Sequence, residues 1–92
     1  MNVVDNKEKR RFEAFIDGHP AIIEYSVKPE VLVLEHTEVD PALKGQGVAS
    51  DLVENVLLQI ELQGLKVVPK CPFIKKYIEK HPEWKSILVH PK

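Results

Sequence analysis

Apolar and polar residues alternate along the first part of the chain, in the pattern typical of half-buried β-strands. Residues 10–17 carry apolar side chains at Phe12, Ala14 and Ile16. An Asp-Gly pair at residues 17–18 separates this run from residues 21–27, which are rich in β-branched and aromatic side chains, and the arrangement predicts a hairpin. Residues 31–39 form a third predicted strand, and its wholly apolar first half predicts cover on both faces. The polar residues 1–9 are predicted to be frayed.

From Val48 onward the apolar residues follow helical spacing, which predicts an amphipathic helix that ends at Gly64 as its C-cap. Leu58 and Leu62 fall on the opposite side of this helix, either as isolated surface leucines or as a dimer contact. The predicted buried stripe consists of Val48, Leu52, Val53, Val56, Leu57 and Ile60.

A short apolar strand over residues 65–71 and a second helix beginning at Pro72 follow. The predicted buried stripe of that helix is Phe73, Ile74, Tyr77 and Ile78, and His81-Pro82 stops it. The remaining tail has no clear period. The predicted fold class is therefore α+β: three antiparallel strands, a helix, a fourth strand parallel to the third because the crossover is right-handed, and a C-terminal helix.

Composition narrows the class of protein. A chain of 92 residues is expected to form a single domain, residues 1–92. A formal net charge of -1, with acids and bases interspersed, argues against a nucleic-acid partner. The single cysteine excludes an internal disulfide, and with no apolar leader the expected location is the cytoplasm. No apolar run approaches the roughly 20 residues that span a membrane, so no membrane partner is expected.

Two of the chain's four glycines lie close together in "LKGQGVAS", residues 43–50, where a predicted strand feeds a predicted helix. Helix N-termini present unpaired N–H groups and the positive end of the helix dipole, and glycine lets a ligand approach the backbone closely. The pair is thus typical of a phosphate or pyrophosphate site. The alternative is an ordinary loop, since G-x-G alone is weak and matches neither a Walker A loop nor a dinucleotide fingerprint.

The segment "KGQGVA", residues 44–49, resembles the pyrophosphate loop of the GNAT acetyltransferase superfamily, whose pattern is Gln or Arg, two residues, Gly, one residue, Gly or Ala. Gly47 and Ala49 match, and Lys44 keeps the charge of the first position without its fork geometry. The chain is most similar to a subgroup of very small, single-domain GNAT-like proteins, through His36-Thr37, Cys71 and the triplet at residues 81–83, His-Pro-Glu. The similarity covers about residues 12–84.

The resemblance implies an acetyl-CoA-dependent N-acetyltransferase that moves an acetyl group to a primary amine. The resemblance also implies that backbone amides of residues 45–50 hold the pyrophosphate of acetyl-CoA. The pantetheine arm of acetyl-CoA would enter between two strands that splay apart, here residues 35–39 and 66–71. The residues implied to bind acetyl-CoA are Glu38, Val39, Lys44, Gly45, Gln46, Gly47, Val48, Ala49, Ser50 and Cys71. The acceptor amine, a small molecule or a protein, is not specified.

His36 and Cys71 are the predicted catalytic residues. His36 would lie on the strand beside the thioester, where an imidazole can take the proton of the amine. The alternative is a half-buried sheet histidine bonded to a carbonyl. Cys71 would lie at a helix N-terminus after Lys70, and both features lower the pKa of a thiol. It could be a nucleophile, a proton donor to the departing thiolate, or only a small buried hydrophobe.

The sequence gives weaker support for a functional role at the remaining polar and aromatic candidates. Glu38 is a second candidate base, or a solvated sheet carboxylate. Tyr77 matches the position of a helix tyrosine that serves as an acid in larger family members, although its spacing favours the core. His81 is expected to cap a helix, and Trp84 to cover the end of the core. His19 and His90 receive no role, and no metal site is predicted because no ligand spacing appears.

Three functional hypotheses remain open. The first is an acetyltransferase, favoured by His36 and Cys71. The second is a module that binds coenzyme A or acetyl-CoA without efficient turnover, favoured because the chain lacks the N-terminal elements with which larger members shape an acceptor site. The third is an α+β interaction domain without a ligand. The expected assembly is a monomer or a weak homodimer.

Overall fold

The structure is a computed structural model that describes residues 1–89, so His90 lies outside the described residues. Within these residues the fold consists of one five-stranded sheet, two α-helices and two short 3₁₀ helices. The strands are β1 (Val4–Asn6), β2 (Arg11–Ile16), β3 (His19–Lys28), β4 (Val31–Val39) and β5 (Lys66–Pro69). The helices are α1 (Val48–Leu62), α2 (Pro72–Lys80) and the 3₁₀ helices Pro41–Leu43 and Pro82–Ile87.

The strands lie in the sheet in their chain order, from β1 to β5. Neighbouring strands are antiparallel as far as β4, and β5 runs parallel to β4 because α1 crosses between them. This confirms the predicted α+β class and the predicted parallel pair. The hairpin between β2 and β3 is also confirmed, since Asp17 (φ 52°) and Gly18 (φ 80°) both take the positive φ that a tight two-residue hairpin loop requires.

The prediction of a frayed N-terminus was wrong, because residues 4–6 form β1 and pair with β2. Contacts with residues distant in the sequence hold this strand. The Tyr25 hydroxyl donates to Asp5 Oδ1 at 2.6 Å, and the Asn6 side-chain amide donates to Glu13 Oε1 at 3.0 Å. The Gln59 side chain of α1 donates to the Val3 carbonyl at 2.9 Å.

Both α-helices pack on one face of the sheet, and the core lies between them and the inward-facing residues of the strands. All six residues of the predicted α1 stripe are buried. Gly64 (φ 73°) follows the C-cap, and the paired bonds from Leu65 N–H to Ile60 and from Gly64 N–H to Glu61 close a Schellman motif. The first half of β4 is buried on both faces, as predicted, since Val33 on the other face is 2% exposed.

The second helix follows its predicted pattern at three of four positions. Ile74, Tyr77 and Ile78 are buried, but Phe73 is 40% exposed, so its assignment to the core was wrong. The tail predicted to lack a period contains the 3₁₀ helix Pro82–Ile87, which buries Trp84 against the core as expected.

On the outer side of α1, Leu58 and Leu62 are 42% and 84% exposed.

No described helix is both long enough and apolar enough to cross a membrane.

Candidate functional site

A β-bulge in β4 divides the strand into two parts. Tyr25 pairs with Leu34 and Glu24 pairs with His36, so Glu35 is an extra residue on β4. The extra residue shifts the alternation of side chains along β4. The Thr37 side chain therefore lies on the same face of the sheet as Ile23, the face on which the helices pack. Without the bulge, a strict period of two from Leu34 would put His36 on that face.

The pairing of β4 with β5 ends at the same point. The last paired residues are Leu34 and Pro69, and the amides of Lys70 and Cys71 both donate to the Leu34 carbonyl, at 2.9 and 3.1 Å. Beyond Leu34, β4 continues to Val39 while the chain after β5 turns into α2. The second half of β4 therefore has a free edge facing α2. The predicted splay placed residues 66–71 opposite 35–39, but residues 66–69 are paired with 31–34, so the two chain segments separate only beyond Leu34 and Pro69.

The loop after β4 is held from the neighbouring hairpin. Asp40 Oδ1 accepts from the Ala42 amide at 2.9 Å and caps the first 3₁₀ helix, while Asp40 Oδ2 lies 3.2 Å from His19 Nδ1. The Ala42 amide and His19 both lower the pKa of the Asp40 carboxyl. His19, to which the sequence assigned no role, thus ties the β2–β3 hairpin to the start of the glycine loop, residues 40–47 between β4 and α1.

The glycine loop opens a cleft of about 590 Å³ at the start of α1. Gly45 (φ 81°) and Gly47 (φ 71°) adopt left-handed backbone conformations, and Gly47 is the N-cap of α1. The amides of Lys44 and Gln46 donate within the loop, at 3.1 and 3.3 Å. Since a first helical turn leaves its amides free, the donors available to an anion are those of Gly45 and of residues 47–50.

Most residues predicted to bind acetyl-CoA line this cleft, together with Phe73, which the sequence did not suggest. Glu38, Gln46 and Cys71 do not line it. The predicted residues in the lining are Val39, Lys44, Gly45, Gly47, Val48, Ala49 and Ser50.

Cys71 is the N-cap residue of α2 and lies on the helix side of the free β4 edge. Its side chain is buried, and its Sγ lies 3.4 Å from Thr37 Oγ1. Burial raises the pKa of the thiol, but interactions with the Thr37 side chain and with the amides of Ile74, Phe73 and Thr37 outweigh burial and lower the pKa overall. The helix N-terminus acts as predicted, whereas Lys70 is not among the causes.

His36 and Glu38 lie on the opposite, open face of the sheet. Both side chains are exposed, opposite Glu24 and Ile22 of β3. The structure therefore brings Cys71 together with Thr37 and places the His36 side chain on the other side of the strand. The two candidate catalytic residues flank the free edge from opposite faces.

Tyr77 is buried as the sequence favoured, with its hydroxyl 3.5 Å from Glu54 Oε2. Burial and the Glu54 carboxylate raise its pKa. His81 is the C-cap of α2, and its ring lies 4.3 Å from the Tyr77 ring, centroid to centroid. Within residues 1–89, no three side chains of the metal-binding types converge.

Comparisons with known proteins agree with this architecture. The sequence pattern of the family described as GCN5-related N-acetyl-transferase matches residues 11–87. The chain is 29% identical over 85 residues to protein NATD1 of Mus musculus, covering 89% of this chain and 77% of the relative. It is 26% identical over 95 residues to protein NATD1 of Danio rerio, covering 98% and 86%.

A solved structure shares the fold. The NMR solution structure of a GCN5-like protein from Staphylococcus aureus superposes with a TM-score of 0.72, covering 99% of this chain and 90% of that chain at 23% identity.

Proposed function

Because the chain belongs to the GCN5-related N-acetyltransferase family, we propose that it transfers the acetyl group of acetyl-CoA to a primary amine. The observation that carries the proposal is the cleft at the start of α1, where two left-handed glycines leave helix amides available to an anion beside the free edge of β4. Acetyl-CoA, the donor of the acetyl group, carries a pyrophosphate that supplies such an anion.

The described residues fit the two parts of the donor. The amides of Gly45 and of residues 47–50, with the Lys44 ammonium, suit the pyrophosphate. The pantetheine arm carries amide groups that suit the edge of β4 left unpaired by β5 beyond Leu34, and Val39 and Phe73 provide apolar contact there. Acetyl-CoA supplies the activated acetyl group as a thioester.

We propose direct attack by the amine. The amine nitrogen forms a bond to the thioester carbonyl carbon, the carbon–sulfur bond breaks, and the thiolate of coenzyme A leaves. His36 takes the proton of the amine from the open face, with Glu38 as the second candidate. Strand amides near Val39 stabilise the oxyanion. Cys71, on the helix side, donates its thiol proton to the departing thiolate, and exchange with solvent then restores the protonation states of Cys71 and His36.

A second route uses Cys71 as a nucleophile. The thiolate that Thr37 and the α2 amides favour would take the acetyl group as a new thioester, which an amine then discharges. This route gains no driving force, because one thioester replaces another. Direct attack also explains why a base candidate lies on the face opposite the cysteine.

A binding module without efficient turnover is the alternative function. One observation favours it: His36 and Glu38 are exposed on a sheet face that no described element covers around them, so nothing there excludes water from a bound amine. In that case acetyl-CoA binds, but release of coenzyme A does not depend on an amine.

The test combines release of coenzyme A with intact mass. We expect a panel of primary amines to accelerate release by the parent. We expect His36→Ala to reduce this rate about a hundredfold, with little change in acetyl-CoA affinity. The parent and Cys71→Ser should both show no stable acetyl adduct after incubation with acetyl-CoA alone.

Three results would contradict parts of the proposal. An amine-dischargeable acetyl group present on the parent and absent from Cys71→Ser would replace direct attack by the nucleophilic route. Acetyl-CoA binding without amine-dependent release would favour the binding module. No binding at all would overturn both functions.

A further inference from the structure

A second, smaller cavity adjoins the cleft at the start of α1. Its volume is about 160 Å³, and Ser50 and Phe73 line both cavities. Its remaining lining comes from α2 and the residue that ends it: Lys76, Tyr77, Lys80 and His81. The two cavities therefore form neighbouring compartments that meet at the N-terminal turns of the two helices.

The smaller cavity is cationic. Lys76 and Lys80 are four residues apart on α2, so their side chains lie on one face, one turn apart. Neither forms a salt bridge within residues 1–89, and no carboxylate lines the cavity. Two acids contact other lining groups: Glu54 Oε2 lies 3.5 Å from the Tyr77 hydroxyl, and Glu83 Oε2 lies 4.0 Å from His81 Nδ1.

The two compartments differ in the anion that they suit. The larger offers backbone amides, which can track a pyrophosphate, whereas the smaller offers two flexible ammonium groups, which suit a compact dianion. Coenzyme A carries both anions, a pyrophosphate and a phosphate monoester on the ribose next to it. Phe73, at the boundary, offers an exposed aromatic surface between the two sites.

We propose that Lys76 and Lys80 bind the ribose 3′-phosphate of coenzyme A and so distinguish it from dephospho-CoA. The inference rests on the proposed function, since it places the rest of the donor in the larger cleft. In this proposal Lys76 and Lys80 do not contact the reacting atoms. They set the affinity for the acetyl donor and the selectivity between coenzyme A and dephospho-CoA.

The test is calorimetric titration of the full chain with coenzyme A and with dephospho-CoA. We expect the parent to prefer coenzyme A about tenfold, the effect expected of charge-assisted contacts at a partly exposed site. We expect Lys76→Gln/Lys80→Gln to bring the two affinities within about twofold, by weakening coenzyme A alone. The control Lys75→Gln/Lys85→Gln removes the same charge from positions outside both cavities and should keep the preference.

The outcomes distinguish failure of the phosphate site from failure of acetyl-CoA binding. A parent that binds both ligands equally, or a double variant that weakens both equally, overturns the phosphate site while leaving acetyl-CoA binding intact. Equal loss of preference in the control pair would reduce the effect to net charge and would also overturn the site. A parent that binds neither ligand would refute the proposed function, and this inference with it.

Discussion

At the scale of single residues, the pair formed by Thr37 and Cys71 is the feature that the sequence concealed. The sequence pointed to the helix N-terminus as the cause of a lowered thiol pKa, and the structure adds the Thr37 hydroxyl at 3.4 Å. Thr37 faces Cys71 because the bulge at Glu35 shifts the alternation of β4 by one. No local pattern marks that bulge, so only the paired strand reveals it.

Thr37→Val tests this contact. The variant keeps the shape and loses the hydroxyl that favours the thiolate, so the pKa of Cys71 should rise and its thiolate fraction near pH 7 should fall. We expect alkylation by iodoacetamide to slow about threefold there, with the pH–rate curve displaced to higher pH. Thr37→Ser retains the hydroxyl and should behave as the parent does. Equal alkylation rates in all three proteins would show that the hydroxyl does not set the reactivity.

At the scale of elements, the sequence predicted the helices and strands that are marked by a pattern within their own residues. The α1 stripe repeats over several turns, and a Schellman glycine ends it, so its burial and its C-terminus were both predictable. In contrast, β1 has three residues and no alternation, and its contacts come from Tyr25, Glu13 and Gln59. Phe73 has the spacing of a core residue but is 40% exposed and lines the cleft, a position that helical spacing alone does not reveal.

The docking of β1 is expected to depend on Tyr25. Tyr25→Phe removes the bond to Asp5 and should lower the free energy of unfolding by about 1 kcal/mol. Amide hydrogen exchange should accelerate in residues 4–6 more than in α1. Tyr77→Phe, which alters a tyrosine far from β1, is the matched control and should leave exchange in residues 4–6 unchanged.

The same bond predicts a pH dependence. Burial and Asp5 raise the pKa of Tyr25 above its ordinary value of about 10. A raised folded-state pKa contributes stability that is complete below the unfolded value and is lost as pH rises toward the folded one. Unfolding free energy should therefore decline above about pH 10 in the parent and less steeply in Tyr25→Phe. Identical slopes in the two proteins would contradict this assignment.

At the scale of the whole molecule, the candidate site draws on elements from the β2–β3 hairpin to α2. The hairpin holds the glycine loop through His19, β4 contributes its free edge, and α1 and α2 direct their N-termini toward the clefts. The sequence identified the loop and Cys71 because glycine and cysteine are conspicuous in a chain with few of either. It could not show which face His36 occupies, since that depends on the pairing of β3 with β4.

A site built from elements this distant in the chain should couple donor binding to global stability, because unfolding separates all of its parts. At a concentration a hundredfold above its dissociation constant, acetyl-CoA should add about 2.7 kcal/mol to the free energy of unfolding. For a domain of this size, that gain corresponds to a rise in Tm of about 10 °C or more.

Gly47→Ala should abolish most of that rise. An Ala side chain at φ 71° lowers the free energy of unfolding by about 1 kcal/mol, whether or not acetyl-CoA is present. At Gly47 the added Cβ meets no protein atom within 4 Å, and Gly47 lines the cleft, so we expect the Cβ to occupy space proposed for the pyrophosphate. Gly18→Ala is the matched control: its φ is 80° and its surroundings are equally open, but it lies in the β2–β3 turn. The measurement is thermal unfolding with and without acetyl-CoA. Without the ligand, both variants should lose a similar amount of Tm. With the ligand, only Gly18→Ala should show the full rise in Tm. If Gly47→Ala keeps the rise, the pyrophosphate binds elsewhere, since the backbone penalty alone is common to both variants.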